Sequence, residues 1–437
     1  MNKIGEFLLQ LFLIQFTQLN KTDIIVQGDN MKFNVVILGS DINAYYMARC
    51  CYEQYKIKPF LIAKKYMHFT GTSKILNIFY EPNLWDTKTF VDTLVKFGKE
   101  HNSTKLVLIP SNDFYVRLIV ENKDILKKYY CFYSINIELL NNLLIKDNFY
   151  TSFKDSELDF PETYVYKCNS KQSISDKQLE KFKYPLIIKP GNGVSYYKHH
   201  FDGQAKVYKI TNKNQLFKVI NDIEVSGYDN NLIIQEFIPG DDTKLFDAIF
   251  FCNKKHQVEL STFAQIGLQE HTKTGIGNCT VLVNGFSEFN GIEEQVEKMK
   301  KFLEENKYEG FAEFDMKYDA RDGKYKVFEI NPRQARSSYY LTACGYNLVK
   351  YMVDDLIYKK QKKYIHINKK CVLSFVPKAV IKKYIDNKTL KNEINQILKT
   401  SKVIDPLNYK YDNSFKRKIW LFVRKFNYIK KYKNNKW

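Results

Sequence analysis

The sequence lacks the cysteine patterns that mark disulfide frameworks and metal sites. None of its eight cysteines forms a C-x-x-C pair or has the short histidine or cysteine spacing of a zinc site. We therefore expect reduced thiols, mostly packed in the interior of a cytoplasmic protein.

Long apolar runs are also missing. Hydrophobic residues make up 44% of the 437 residues, but polar residues interrupt them too often for a membrane span. Aromatic residues at 15% argue against disorder, so we expect a soluble globular chain of two or three domains. Residues 7–16 resemble a signal-peptide core, but no small-residue cleavage site follows. We therefore expect residues 1–30 to be an extension, or a mis-set start before Met31, and not an export signal.

Acidic residues are scarce relative to basic ones. The 68 Lys and Arg against 48 Asp and Glu give a net charge of +20, which would attract nucleic acid, acidic membranes or anionic substrates. An AT-rich genome would produce the same lysine excess. The densest basic cluster is a terminal helix and not a groove of interleaved basic and aromatic residues, so we expect no nucleic-acid partner.

Strand and helix patterns alternate within residues 31–145. We predict strands at 33–38, 58–63 and 105–110 and helices at 44–55 and 87–101. This order predicts a small doubly wound α/β domain with a parallel sheet, although the first turn lacks the G-x-G-x-x-G dinucleotide motif. Ser40, Asp41 and Asp113 follow strands and either contact a substrate or cap helices.

Two stretches further along have features of a nucleotide site. A strand delivers Lys189 to a glycine-rich loop at 190–195, which is either a phosphate-binding loop or a hairpin turn. An apolar strand at 231–238 ends in Pro-Gly and is followed by two acids, a segment that can lie along an adenine and a ribose. His271 and Lys273 lie in a polar loop where they could meet phosphate, although a lone histidine is more often structural.

A hairpin at residues 311–331 brings hard oxygen ligands together. Glu329 and Asn331 share one strand face, and an Asp-Gly turn lets Asp315 face Glu329 across the hairpin. Such ligands suit magnesium, while Arg333 and Arg336 can hold a phosphate or carboxylate beyond the strand end. A salt-bridged surface hairpin is the alternative.

The composition shifts again after residue 365. Residues 415–437 hold nine Lys or Arg and no acid, and apolar residues recur every three or four positions. These apolar residues are Phe415, Ile419, Phe422, Phe426 and Ile429. The spacing predicts a basic amphipathic helix at 415–433 with Arg417, Arg424 and Lys431 nearly opposite the stripe. The stripe either packs on the protein body or lies on an anionic membrane surface.

The order of these elements over roughly residues 31–360 resembles the ATP-grasp superfamily. Finer motifs resemble the D-aspartate ligase group within it. They are found at residues 38–43, 47–49, 109–113, 188–196 and 331–338. The resemblance implies a pre-ATP-grasp domain at 31–145, a two-lobed ATP-grasp domain at 146–365 with lobes of about 146–235 and 236–365, and a basic C-terminal region at 366–437.

The resemblance also implies roles for single residues. ATP would be bound by Lys146, Lys189, Gly191, Gly193, Ser195, Gln235, Glu236, Phe237, Ile238 and Asp242. Asp315, Glu329 and Asn331 would hold Mg²⁺ or Mn²⁺, with Glu313 as the alternative to Asp315 because the two share a strand face. Arg333 would act on the transferred phosphate or the acyl phosphate, and Arg336 and Lys273 would be further catalytic residues.

The activity that the resemblance implies is ATP-dependent ligation. ATP would phosphorylate the β-carboxylate of D-aspartate, and the lysine ε-amine of a peptidoglycan stem-peptide precursor would attack the acyl phosphate. This chemistry needs cations around the moving phosphoryl group and no nucleophilic side chain, in keeping with the lack of an obvious Ser-His or Cys-His constellation. A ligase for another amino acid or amine is the alternative. A cytoplasmic enzyme in peripheral membrane contact through 415–433 would suit an acceptor on its way to a lipid carrier.

Overall fold

The structure, a computed structural model, describes residues 32–170, 174, 180–270, 272 and 275–435. The predicted extension at 1–30 lies outside these residues, as do His271 and Lys273. Three β-sheets organise the described part of the chain.

The first sheet has five strands, and every pairing in it is parallel. Its strands are β1 (Phe33–Leu38), β2 (Phe60–Ala63), β3 (Asn77–Tyr80), β4 (Lys105–Pro110) and β5 (Tyr130–Cys131). They lie in the order β3-β2-β1-β4-β5. Residues of β1 are buried on both of its faces, as expected for a central parallel strand covered by helices on both sides. The predicted doubly wound sheet is confirmed.

Helices connect and flank these strands. They are α1 (Ile42–Tyr55), α2 (His68–Gly71), α3 (Thr87–Glu100), α4 (Asp113–Glu121), α5 (Lys123–Leu126), α6 (Ile137–Leu144) and α7 (Lys146–Ser152). Asp41 caps α1 by accepting a hydrogen bond of 3.0 Å from the Ala44 amide, so the capping alternative for this residue is confirmed.

The second sheet is antiparallel and has four strands. They are β6 (Thr163–Lys167), β7 (Leu186–Pro190), β8 (Tyr208–Ile210) and β9 (Asn231–Glu236), in the order β6-β9-β7-β8. The short helix α8 (Gly193–Tyr196) follows β7, and α9 (Lys213–Val225) precedes β9. This sheet carries the predicted phosphate-binding lysine at 189 on a central strand.

The third sheet has eight strands. They are β10 (Leu245–Cys252), β11 (Val258–Thr262), β12 (Ala264–Gln269), β13 (Cys279–Asn284), β14 (Gly310–Asp319), β15 (Lys324–Asn331), β16 (Ile365–Ile367) and β17 (Cys371–Ser374). The main path is β15-β14-β10-β12-β13-β17, while β11 pairs with β10 and β16 with β11. The sheet thus continues past the domain boundary predicted at residue 365, and the boundaries themselves stay a prediction.

The predicted hairpin is formed by β14 and β15. The Gly323 amide donates a hydrogen bond of 2.8 Å to the Asp319 carbonyl, and Gly323 has a φ of 73°, which glycine adopts without strain. Because this turn fixes the register, Asp315 pairs with Glu329 as predicted.

The remaining helices cover the large sheet and its edges. They are α10 (Ile292–Glu305), α11 (Tyr339–Ala343), α12 (Leu348–Leu356), α13 (Lys378–Tyr384), α14 (Lys388–Thr400) and α15 (Phe415–Asn434). Among the described residues no helix combines the length and the apolar character needed to cross a bilayer.

Helix α15 confirms the predicted helix at 415–433, but it packs through the face opposite the apolar stripe. Phe415, Phe422 and Phe426 are 78%, 63% and 56% exposed, whereas Arg417 and Tyr432 are fully buried. The alternative in which the stripe packs on the protein body is therefore wrong.

Arg417 joins α15 to the N-terminal sheet domain. Its guanidinium carbon lies 3.8 Å from the centre of the Tyr45 ring, and its Nη1 donates a hydrogen bond of 2.8 Å to the Phe69 carbonyl. Its Nε lies 3.5 Å from the Asp412 carboxylate, and both side chains are fully buried. The contacts of Arg417 with Tyr45 and Phe69 tie the C-terminal helix to the first domain, and the ion pair with Asp412 balances the buried charge.

We predict that Arg417→Met lowers the free energy of unfolding by about 3–5 kcal/mol, because it leaves the buried charge of Asp412 without a partner. Urea unfolding followed by circular dichroism measures the loss. Adding Asp412→Asn should recover part of it, and a loss below about 1 kcal/mol would contradict the role given to the pair.

Candidate active site

Acidic side chains from three neighbouring strands meet on one face of the large sheet. In the β-sheet register Asp315 lies between Asp247 and Glu329, and Glu313 pairs with Asn331. Directly paired residues in antiparallel strands project to the same face. The structure therefore brings the three predicted metal ligands together and adds two further carboxyl groups.

The carboxyl groups shift one another's pKa because they are buried together. Burial, and then the negative charges of Glu313 and Glu329, raise the pKa of Asp315 well above its usual range. Burial acts in the same direction on Glu329, but the positive charge of Lys146 and a hydrogen bond from Asp315 outweigh it and lower the pKa of Glu329. The pKa values of the two neighbouring carboxyl groups are thus shifted in opposite directions, so Asp315 takes up a proton more readily than Glu329.

Asn331 connects this carboxyl pair to the arginine that follows. Its Nδ2 lies 3.3 Å from Asp315 Oδ2 and 3.5 Å from Glu329 Oε1. Its Oδ1 accepts a hydrogen bond of 3.1 Å from Arg333 Nη2. The amide therefore orients acidic and basic groups at the same strand end.

Two lysines approach Glu329, Lys189 from β7 of the second sheet and Lys146 from the start of α7. Lys189 Nζ donates a hydrogen bond of 3.2 Å to Gln235 Oε1 and lies 5.1 Å from the centre of the Phe328 ring. Burial, and then the positive charge of Lys146, lower the pKa of Lys189 to about 8. Burial also lowers the pKa of Lys146, against the charge of Glu329. Two buried ammonium groups that repel each other favour a polyanion such as a phosphate chain.

Arginines extend the site beyond β15. Arg333 Nε lies 2.8 Å from Asp113 Oδ1, and Nη1 lies 3.7 Å from Glu313. Burial would lower the pKa of Arg333, but these two carboxylates outweigh it and raise that pKa. Asp113 thus pairs with Arg333. Arg336 Nη2 donates a hydrogen bond of 2.9 Å to the Tyr428 hydroxyl on α15.

Comparison with known proteins decides the family. No family model matches the chain. The sequence is 31% identical over 418 residues to the D-aspartate ligase of Enterococcus faecium (strain Aus0004), covering 93% of this chain and 97% of that protein. The chain belongs to the D-aspartate ligase family. It is an ATP-dependent carboxylate–amine ligase.

Solved structures of ATP-grasp enzymes share the fold of this ligase. The N5-carboxyaminoimidazole synthetase from Staphylococcus aureus superposes with a TM-score of 0.60 at 15% identity, over 85% of this chain and 88% of that one. The L-amino acid ligase from Bacillus licheniformis superposes with a TM-score of 0.54 at 13% identity, over 75% of each chain. The predicted fold, a doubly wound domain followed by an ATP-grasp fold, is confirmed.

The residues predicted to lie along the adenine and ribose occupy the end of β9 and the segment after it. Glu236 Oε2 accepts a hydrogen bond of 2.7 Å from Arg321, and the Phe237 ring centre lies 4.4 Å from Lys209 Nζ. Ile238 is buried. Asp242 Oδ1 accepts a hydrogen bond of 2.6 Å from Gln269 Nε2. Each side chain of this row is already held by a neighbour, and its contact with ATP stays a prediction.

Two backbone amides of the glycine-rich segment after β7 already donate hydrogen bonds within the protein. The Gly191 amide donates a hydrogen bond of 2.8 Å to the Asn231 carbonyl, and a Cβ at 191 would lie 2.8 Å from that oxygen, so only glycine fits. The Ser195 amide donates to Asn192 Oδ1 at 3.0 Å, whereas nothing lies within 4 Å of a Cβ built at Gly193. Phosphate contacts through the Gly191 or Ser195 amide would require these hydrogen bonds to be exchanged.

Sequence reasoning missed Asp247 and Ser337. The Ser337 hydroxyl donates a hydrogen bond to the Asp247 carboxylate, and burial raises the pKa of Asp247 to about 6. The signal that could have found Asp247 is a lone acid within the apolar strand β10. Its neighbour across the sheet is Asp315, a pairing that the local sequence does not reveal.

The predicted ligands fit a divalent cation with one adjustment. The described residues contain no group of three or more His, Cys, Asp or Glu side chains arranged to hold a metal ion, so a cation would depend on Asn331 as its third protein ligand. It would lie against the carboxylates of Asp315 and Glu329, and Asn331 would turn its amide oxygen away from Arg333. Carboxylate and amide oxygens are ligands that magnesium prefers.

We predict that the affinity for ATP falls as the pH rises above about 8. Because the pKa of Lys189 is lowered to about 8, the free protein loses this positive charge above that pH, and binding the phosphates must then take up a proton. Calorimetric titration at pH 7 and pH 9, in buffers of different ionisation enthalpy, measures both effects. Lys189→Met should bind ATP weakly with a flatter pH profile, and equal pH dependence in both proteins would contradict the assignment.

Proposed function

We propose that this ligase activates the β-carboxylate of D-aspartate and joins it to the lysine ε-amine of a peptidoglycan stem-peptide precursor. The observation that carries the proposal is the convergence of Lys146 and Lys189 on Glu329, which pairs with Asp315 across the hairpin. This arrangement supports phosphoryl transfer, and the 31% identity to a D-aspartate ligase supports the choice of acid.

The reaction needs activation because a carboxylate has no leaving group that an amine can displace. A carboxylate oxygen attacks the γ-phosphorus of ATP, and ADP leaves with the electrons of the broken P–O bond. The amine then attacks the carbonyl carbon of the acyl phosphate and loses a proton. Phosphate departs as the amide forms.

The side chains of this protein supply charge and position. Lys146 and Lys189 neutralise the phosphates, and Arg333 is oriented by its ion pair with Asp113. Mg²⁺ held by Asp315, Glu329 and Asn331 would supply further positive charge on the phosphate oxygens. The buried setting strengthens each of these interactions because little water screens them.

The proposed acceptor also bears on where the enzyme works. A precursor peptide is made in the cytoplasm before its transfer to a lipid carrier, so we place the enzyme there, with residues 415–433 touching the inner face of the membrane. An ATP-grasp ligase for a different acid or amine is the alternative.

The test is ADP release by purified enzyme with D-aspartate, L-aspartate, D-glutamate and D-alanine, each with a lysine-containing stem peptide. We predict that release is fastest with D-aspartate, stops on chelation and returns with Mg²⁺. Glu329→Gln should reduce turnover at least 1,000-fold with unchanged thermal unfolding, because it removes one charge from the proposed cation site.

Glu294→Gln is the matched control, since Glu294 lies on the exposed side of α10 in an ion pair with Lys298. It should leave turnover unchanged. Faster release with another acid would favour the alternative ligase, and full activity of Glu329→Gln would overturn the cation site.

A further inference from the structure

A cavity of about 300 Å³ lies where α15 meets the segment after β15. Arg336 enters it from that segment, and Arg424, Tyr428 and Lys431 enter it from α15. Glu270 is the carboxylate in the lining. The cavity is therefore built by the candidate active site on one side and by the C-terminal helix on the other.

The cavity holds more positive than negative charge. Arg336 Nη2 and Arg424 Nη2 donate to the same Tyr428 hydroxyl, at 2.9 Å and 3.1 Å. Lys431 Nζ pairs with Glu270 at 2.6 Å, which uses the carboxylate of the lining. Neither guanidinium forms an ion pair within the described chain, and Glu270, whose charge acts on both, is already paired with Lys431.

One donor is left without an acceptor. The Nε atom of Arg336 is buried and has no hydrogen-bond partner among the described residues. Burial lowers the pKa of the Arg424 guanidinium. Tyr428 acts in the opposite direction and the positive charge of Arg336 in the same direction as burial, so the pKa stays lowered. Buried cations with unused donors are stabilised when an anion accepts their hydrogen bonds.

We propose that this cavity binds the carboxylate of the acid substrate that is not activated, held by Arg336 and Arg424. The inference rests on the proposed ligase function and adds a substrate contact from α15. It makes Arg424 a specificity residue for acids that carry a second carboxylate, because a guanidinium pair recognises a planar anion.

The test separates the acid from ATP. Arg424→Gln should raise the KM for the acid that releases ADP fastest at least tenfold and change the KM for ATP less than twofold. Arg424→Lys should restore part of the loss. Lys425→Gln is the matched control, since it removes the same charge from an exposed neighbour on α15 and should change neither KM.

The outcomes are distinct. An unchanged acid KM, or an equal rise for acid and ATP, would overturn the cavity as the acid site while leaving the ligase function intact. Absence of ADP release with every acid in wild-type protein would instead overturn the proposed function itself. Thermal unfolding of each variant shows whether a change in KM follows from lost structure.

A separate observation concerns the opposite face of α15. Six apolar side chains on this helix are exposed, and they lie on the side away from buried Tyr428 and Tyr432. They are Phe415, Ile419, Phe422, Val423, Phe426 and Ile429. We call these six residues the apolar stripe.

Basic residues border the apolar stripe on both sides. At 100° per residue, Lys418 and Lys425 lie along one edge and Lys416 and Lys430 along the other, and all four are exposed. The helix contains no acidic residue. An apolar centre between lysines matches an anionic lipid surface, where the rings enter the headgroup boundary and the ammonium groups remain at its level.

We infer that the apolar stripe binds the surface of an anionic membrane. The charge of its borders selects this occupant over a second copy of the chain, because two such helices would bring eight lysines together without a carboxylate to pair with them.

The test is sedimentation with vesicles of phosphatidylglycerol and phosphatidylcholine, compared with phosphatidylcholine alone. The intact protein should bind the anionic vesicles at least tenfold more strongly, and less at 500 mM than at 50 mM salt. Phe422→Glu with Phe426→Glu should reduce binding at least tenfold while ligase activity in solution is unchanged.

Phe217→Glu on α9 is the control, because it replaces another exposed phenylalanine with glutamate away from α15 and should leave binding unchanged. Equal sedimentation of wild type and the double variant would overturn the membrane surface. A dimer in analytical ultracentrifugation that the double variant abolishes would assign the stripe to a second copy instead.

Discussion

The site depends on how buried charges of opposite sign are distributed between two sheets. The hairpin β14–β15 places Asp315 and Glu329 side by side in a buried environment, where their negative charges repel each other. Lys146 at the start of α7 and Lys189 on the other sheet supply positive charge and lower the pKa of Glu329. Burying these carboxylates and ammonium groups costs least free energy when a cation binds the carboxylates and phosphates bind the ammonium groups. The free protein therefore already holds the charges that its ligands need.

Local sequence patterns predicted much of this arrangement. The strands at 33–38 and 105–110 follow from apolar runs bounded by polar turns, and the pairing of Asp315 with Glu329 follows from strand alternation and an Asp-Gly turn. These features depend on neighbours in the chain, which a sequence displays directly. The identity of the family came from the order of several weak motifs, and the comparisons agree with it.

What the sequence could not show depends on contacts between distant segments. Asp247 lies beside Asp315 because β10 pairs with β14. Arg336 donates a hydrogen bond to Tyr428, which lies 92 residues later in the sequence. Helix periodicity predicted which residues of α15 share a face, but it did not predict which face packs against the rest of the protein. The buried pair of Arg417 and Asp412 decides that question, because a cation with a partner and hydrogen bonds can be buried in place of the apolar stripe.

The position of α15 has a consequence for energetics. Its inner face contacts Arg336 and its outer face carries the apolar stripe, so one rigid element borders two binding surfaces. If a lipid surface shifts the helix and thereby alters the acid site by some factor, thermodynamic reciprocity requires the acid to alter lipid affinity by the same factor. A substrate pool would then regulate how much of the enzyme resides at the membrane, without any modification of the chain.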